Sequence, residues 1–361
     1  MSALQSIANP ISGVVPGGPG GSLRPRRLRH VKASGACPRQ MVLALLEEHA
    51  QHHPLNRALV MLDGRHRDAV SYVELAQRVK RVAAWLSARF PDGGESIAIL
   101  SESGPLWGIV ALATLASRNV LVPLDTAMEP EALGETLRRV RPVILFSSTS
   151  CYHVAKALAG DGAPAGEIVC LDASRLDVTL PQAAVAITGA RGYKPAPGTA
   201  VMAFTPGTTA TPEAVEISFD GLLFQIRSLT ACFTLGPSDR LLSLLPMHPM
   251  LELTAGFLCP LWSGAQIHYL HSLLPDDALE RIRTLGITRV VTVPAWRALG
   301  GDFEHFISGG APLADEVAEF FDAVGTPVIH SDGLTETGPM VSTNTVRTTA
   351  WRRATASPFR L

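Results

Sequence analysis

SIAILSESGPLWGIVALATLASRNVLVPL, residues 96–124, is the stretch whose reading decides the fold. Ser96 to Leu100 is a short apolar run of strand length. Leu106 to Ser117 is longer, apolar nearly throughout, and reads as a buried helix. Asn119 to Leu124 is a second apolar strand. Neither strand alternates apolar with polar residues, which is the mark of parallel strands covered on both faces. The stretch is therefore a βαβ unit.

The same rhythm extends outward. Met41 to Ala50 is expected to be a helix, Ala58 to Leu62 a strand, and Asp63-Gly64 a turn. Ser71 with Glu74 forms a capping box. Leu75, Val79, Val82, Ala83 and Leu86 then recur at helical spacing. Pro130 to Arg139 reads as a helix and Val143 to Phe146 as a strand. A Gly-, Ala- and Pro-rich connection follows over 160–198, and a second alternating block runs from about 220 to 330. Strands alternating with helices at these spacings place the chain in the α/β class.

Composition bounds the rest. The 361 residues are 47% hydrophobic and 17% charged, with a formal net charge of −1. That balance builds a core and excludes a disordered chain. It also supplies no global field for nucleic acid or an anionic surface. Cys37, Cys151, Cys170, Cys232 and Cys259 are scattered without metal-ligand spacing and read as reduced thiols of a cytoplasmic protein. Residues 1–35 form a leader, with Pro16 to Gly21 followed by Arg24, Arg26, Arg27, Arg29 and Lys32. It is expected to be disordered, and its basic cluster offers a peripheral contact with an anionic membrane surface. Positive charge enters only at Arg24, unlike a secretory signal. Ser117, Arg118 and Asn119 interrupt the longest apolar run, so no transmembrane segment is expected.

The chemistry concentrates in a few loops. Ala203 to Val215 is a strand end followed by Thr205, Pro206, Gly207, Thr208 and Thr209, hydroxyls and amides spaced to wrap a phosphate. Read as A-F-T-P-G-T-T-A-T-P-E-A-V, it resembles the T-S-G-T-T-G-x-P-K-G-V phosphate loop of adenylate-forming ligases. Three more segments follow in that family's order. Leu245 to His248 resembles L-P-x-x-H. Ser308 to Leu313 resembles the adenine loop S-G-G-A-P-L, and Asp332 to Glu336 resembles Y-G-L-T-E. The resemblance covers roughly residues 40–360 and leans toward long-chain fatty-acyl-CoA synthetases.

That resemblance implies two stacked doubly wound subdomains within a nucleotide-binding domain over 36–361, with a boundary near 160–200. It implies attack of a fatty acid or other carboxylate on ATP to give an acyl-adenylate. Transfer to a thiol follows, on coenzyme A or an acyl carrier protein. It assigns Thr205, Gly207, Thr208 and Thr209 to the phosphates, and Gly309, Gly310, Ala311, Pro312 and Asp332 to the adenine side. Thr335 would meet the α-phosphate, Glu336 would hold Mg²⁺, and His248 would stand beside the reacting carboxylate.

The departures fall on the same loops. Pro206 removes a hydroxyl and an amide donor from the phosphate loop. Ala210 and Ala214 stand at glycine positions, and Glu213 replaces a lysine. Asp332 replaces the aromatic platform. Trp351 to Pro358 resembles R-P-G-x-V-G-x-P with Ala354 at a glycine position. Leu361 comes before the family's small C-terminal domain and its lysine. The expectation is an acyl-activating ligase of impaired catalysis, truncated at its C-terminal end. The alternative is a non-catalytic descendant that binds an acyl ligand or a partner.

Overall fold

The chain alternates helix and strand through α1 (Pro38–His52), β1 (Arg57–Asp63), β2 (His66–Ser71), α2 (Tyr72–Arg89), β3 (Ser96–Leu100), α3 (Pro105–Ala116), β4 (Val120–Pro123), α4 (Pro130–Val140), β5 (Ile144–Ser148), α5 (Tyr152–Gly160) and β6 (Glu167–Leu171). It continues through β7 (Thr199–Thr205), β8 (Glu213–Ser218), α6 (Phe219–Cys232), β9 (Arg240–Ser243), a π-helix (Glu252–Leu258), α7 (Cys259–Trp262), β10 (Gln266–Leu270), β11 (Arg289–Thr292), β12 (His305–Gly309), β13 (Val328–Asp332) and β14 (Ser342–Thr343). This computed structural model describes residues 38–63, 66–160, 166–172, 178–181, 193–205, 213–233, 235–270, 282, 284–292, 305–309, 328–335 and 342–343. The leader lies outside them.

Two sheets result. One has eight strands in the order β14-β13-β12-β11-β9-β10-β1-β2, the other six in the order β6-β5-β3-β4-β7-β8. Their interiors are parallel, and β2, β8 and β14 pair antiparallel at the edges. The chain changes sheet twice, between β2 and β3 and between β8 and β9. Sequence reading misses the edge strands β2 and β8 because HRDAVS and EAVEIS carry no apolar run. An edge strand faces water and its sequence is free to be polar.

The apolar strands of the six-stranded sheet feed two cores. Ile97, Ile99, Leu121, Ile144, Phe146, Val201 and Ala203 join the large core that also holds α2, α3 and both β1 and β10. Ala98, Leu100, Val120, Val122, Leu145 and Met202 point the other way, into a smaller core under α4 and α5. Period-two alternation therefore persists in direction although both faces are apolar. All twelve residues of α3 are buried. It packs between β1 and the π-helix, with Trp107 edge-on to Phe257 at 6.0 Å between ring centroids. Glycine is required at 108, since a Cβ there would stand 2.9 Å from the Phe257 ring and 3.2 Å from Leu59. The polar break at 117–119 is the turn out of this helix. Arg118 adopts φ 63, and Asn119 Oδ1 accepts from the Glu95 amide at 3.1 Å.

Among the described residues no helix is long and apolar enough to cross a membrane. The capping box of α2 is present. The Glu74 amide donates to Ser71 Oγ at 3.2 Å, and the Ser71 amide donates to Glu74 Oε2 at 2.8 Å. Ser71→Ala orphans a helix-start donor and should lower stability by about 1 kcal/mol. Urea unfolding followed by circular dichroism checks this, and an unchanged midpoint would show that the box contributes nothing.

Candidate active site

The order of the six-stranded sheet fixes where a ligand can enter. From β3 the chain passes through α3 to its neighbour β4, then through α4 back to β5 on the other side of β3. The onward connections of the neighbours β3 and β5 run to opposite sides, to β4 and to β6, so the switch point of this sheet lies at the carboxyl ends of β3 and β5, next to the end of β4. In open α/β sheets that switch point is where ligands bind.

The eight-stranded sheet brings the segment after β9 to the carboxyl ends of β3 and β4. Ser103 Oγ, just beyond β3, donates to the Leu245 carbonyl at 3.2 Å. His248 Nε2 stands 3.6 Å from Asp125 Oδ2, just beyond β4. Burial lowers the His248 imidazole below its ordinary value, and Asp125 partly opposes this. Burial thus favours the neutral imidazole, which can accept or donate a hydrogen bond beside Asp125. Leu245 to His248 is one residue shorter than L-P-x-x-H, so His248 stands one position earlier than the motif's histidine.

The other candidates also cluster at carboxyl ends. Thr205 ends β7, Gly309 ends β12, Asp332 ends β13 and half-buried Thr335 follows it. Gly309 is buried, and a Cβ there would come within 3.1 Å of the Ser331 carbonyl and 3.4 Å of Leu251. Its small size is used for close packing of β12 on β13 and on the turn after His248. Gly207, Thr208, Thr209, Gly310, Ala311, Pro312 and Glu336 lie outside the described residues. Thr205 and Glu213 are register partners in the β7–β8 hairpin. Glu213 is exposed and so brings an acidic group to the base of the hydroxyl-rich loop. That loop has the hydroxyls and amides for a nucleotide phosphate, but the carboxylate opposes it. Among the described residues no group of three His, Cys, Asp or Glu is placed to hold a metal.

Sequence reasoning missed Asp125, Glu102 and Glu252. The first two could have been found as acidic residues closely following the apolar strands β4 and β3. Glu102 sits among hydroxyls, with Ser150 Oγ donating to its Oε1 and the Cys151 thiol 3.9 Å away. Burial pushes its carboxyl up, but the bonds led by Ser150 outweigh that and hold it below the usual range. Glu252 carries no such signal, since LELTAGFL reads as core. It is fully buried in the π-helix, accepts from Ser243 Oγ at 2.6 Å and leaves Oε2 without a partner. Desolvation pushes its carboxyl up to about 8, against the Ser243 bond. Tyr269, register partner of Ser243, is the titratable group coupled to it.

The raised value has a definite sign. Below the ordinary carboxyl value of 4.5 both folded and unfolded chains hold the proton. Between 4.5 and about 8 only the folded chain keeps it, so stability falls as pH rises through that window. Glu252→Gln should remove this slope, gaining on the parent steadily from pH 5 to pH 8. Urea midpoints at pH 5, 6.5 and 8 measure it, and parallel profiles for the two proteins would contradict the burial of an ionisable group there.

The profile of the family described as "AMP-binding enzyme" matches residues 46–358. A protein named CoA ligase from Gibberella moniliformis is 30% identical over 190 residues, 52% of this chain and 31% of its own length. The acyl-CoA synthetase ALT10 of Alternaria alternata is 27% identical over 288 residues, 69% of this chain and 51% of its own. The matched part of this chain therefore spans 31% and 51% of the length of these two curated relatives. Among solved structures, ATP-bound MatB from Rhodopseudomonas palustris superposes with a TM-score of 0.68 at 24% identity, covering 84% of this chain and 62% of that one.

Proposed function

This chain belongs to the AMP-binding enzyme family, and from that premise we propose that it binds ATP and a fatty acid or related carboxylic acid at the carboxyl ends of β3 and β4, where the segment after β9 meets them. The reaction class is acyl activation: a carboxylate oxygen attacks the α-phosphate, pyrophosphate leaves, and a thiol of coenzyme A or an acyl carrier protein then accepts the acyl group. The observation that carries this reading is the meeting of the His248 segment with Asp125 and Ser103 beyond the carboxyl ends of β4 and β3. Thr205, Gly309, Asp332 and Thr335 stand at carboxyl ends of parallel strands as well.

In this reading His248, neutral and oriented by Asp125, donates or accepts a hydrogen bond beside the reacting carboxylate. Thr205, Gly207, Thr208 and Thr209 bind phosphate oxygens. Gly309, Gly310, Ala311 and Pro312 form the adenine wall with Asp332, and Thr335 meets the α-phosphate. Glu336 supplies the oxygen ligand that a Mg²⁺ ion requires. Among the described residues Cys151, Cys170 and Cys259 form no disulfide, in keeping with a cytoplasmic setting.

Glu213 favours a second reading, in which nucleotide binding is weak and the chain serves mainly as an acyl-ligand or partner-binding protein. A carboxylate about 4 Å from a phosphate charge would oppose it by roughly 4 kcal/mol at an effective dielectric near 20, and exposure reduces that figure. The two readings separate by experiment. Pyrophosphate release with ATP, Mg²⁺ and C8–C18 fatty acids should run well below a typical turnover of ~10 s⁻¹. A rate within about tenfold of it would dispose of the impairment. Combined Pro206→Ser, Ala210→Gly and Glu213→Lys should tighten ATP·Mg²⁺ binding by about tenfold or more, since each ~1.4 kcal/mol is a decade. Calorimetric titration showing no gain would mean that this loop does not face a nucleotide.

A further inference from the structure

The segment that carries His248 leaves β9 at Ser243 and re-enters helix before the π-helix at Glu252. These two residues, nine apart in sequence, are joined by the buried Ser243 Oγ to Glu252 Oε1 bond of 2.6 Å. The bond therefore closes the base of a loop whose tip bears Leu245, in contact with Ser103, and His248, in contact with Asp125. Glycine at 256 gives the carboxyl its room, because a Cβ there would collide with all three Glu252 carboxyl atoms. A π-turn needs one more residue per turn than an α-helix, and such turns recur at functional sites because they re-aim side chains. Here it starts at the residue that turns back onto Ser243.

We infer that Ser243, Glu252 and Gly256 form a clamp that holds the loop bearing His248 in place against Asp125. Glu252 touches neither His248 nor Asp125 and acts through the loop, so it is a positioning residue. The cost of this arrangement is visible in the buried Glu252 Oε2 and Tyr269 Oη, neither of which has a partner. A neutral hydrocarbon at 252 would pack in the same apolar surroundings but would leave the loop ends untied. The inference concerns the position of the imidazole and holds whether or not the chain turns over substrate.

The imidazole itself reports the outcome. Its value is held down chiefly by burial, and Asp125 is the charged group that faces it among the described residues. Releasing the clamp lets water reach it. Ring signals of histidine-labelled protein, followed by NMR across pH, give the His248 midpoint, assigned by loss of the signal in His248→Gln. Ser243→Ala removes the donor from the strand side, and Gly256→Ala displaces the carboxyl from the helix side. Both should move the His248 midpoint upward toward the ordinary 6.5. Glu252→Gln keeps an oxygen to accept from Ser243 and should leave the midpoint as in the parent. An unmoved midpoint in folded Ser243→Ala, the milder change, overturns the clamp. An equal shift in Glu252→Gln overturns it too, since any alteration at 252 would then act without the hydrogen bond.

Discussion

Everything in this protein hangs on one helix having no exposed side. All of α3 is buried, and it fills the space between the six-stranded sheet, whose strands β3 and β4 it connects, and the eight-stranded sheet through Leu59 and the π-helix through Phe257. The approach is close enough that residue 108 must be glycine. Burying a helix of such composition removes apolar surface on every face at once, at about 25 cal/mol per Å². It also locks the two sheets at one spacing, because a packed interior yields little to deformation.

That spacing places the chemistry. α3 lies on the inner face and α4 on the outer, and the loop after β9 reaches from the other sheet to the carboxyl ends of β3 and β4. Neither sheet alone builds the site: Asp125 and Ser103 come from one, and Leu245 and His248 from the other. The chemistry proposed for this meeting point is the activation of a carboxylate on a nucleotide. The acidic residues Glu213 and Asp332, at positions where related loops carry lysine and tyrosine, mark where this chain departs from it.

A buried carboxyl beneath that loop is a further constraint. Glu252 sits where an aliphatic residue would satisfy the core, and it leaves one oxygen without a partner. Buried unpaired polar atoms are costly, so their presence beside a candidate site asks for a positional reason. The hydrogen bond to Ser243 supplies one.

The sequence by itself determined the α/β class, the helix start at Ser71 and the parallel strands from β3 to β5. These rest on local signals: apolar runs with lengths that separate helix from strand, and a cap that needs only four consecutive residues. The motif resemblance, local too, singled out His248, Gly309 and Thr335, which follow or end strands β9, β12 and β13. What only the tertiary structure decided was the pairing of distant polar residues. Asp125 and His248 are far apart in the chain, and nothing local to either marks the other. The same holds for the polar edge strands β2 and β8, which exist only because a neighbouring strand offers its hydrogen bonds. Glu252 was invisible for the converse reason. Its neighbours in sequence are those of a core helix, and its meaning comes from Ser243 on an adjacent strand, brought near by the way β9 and the π-helix pack.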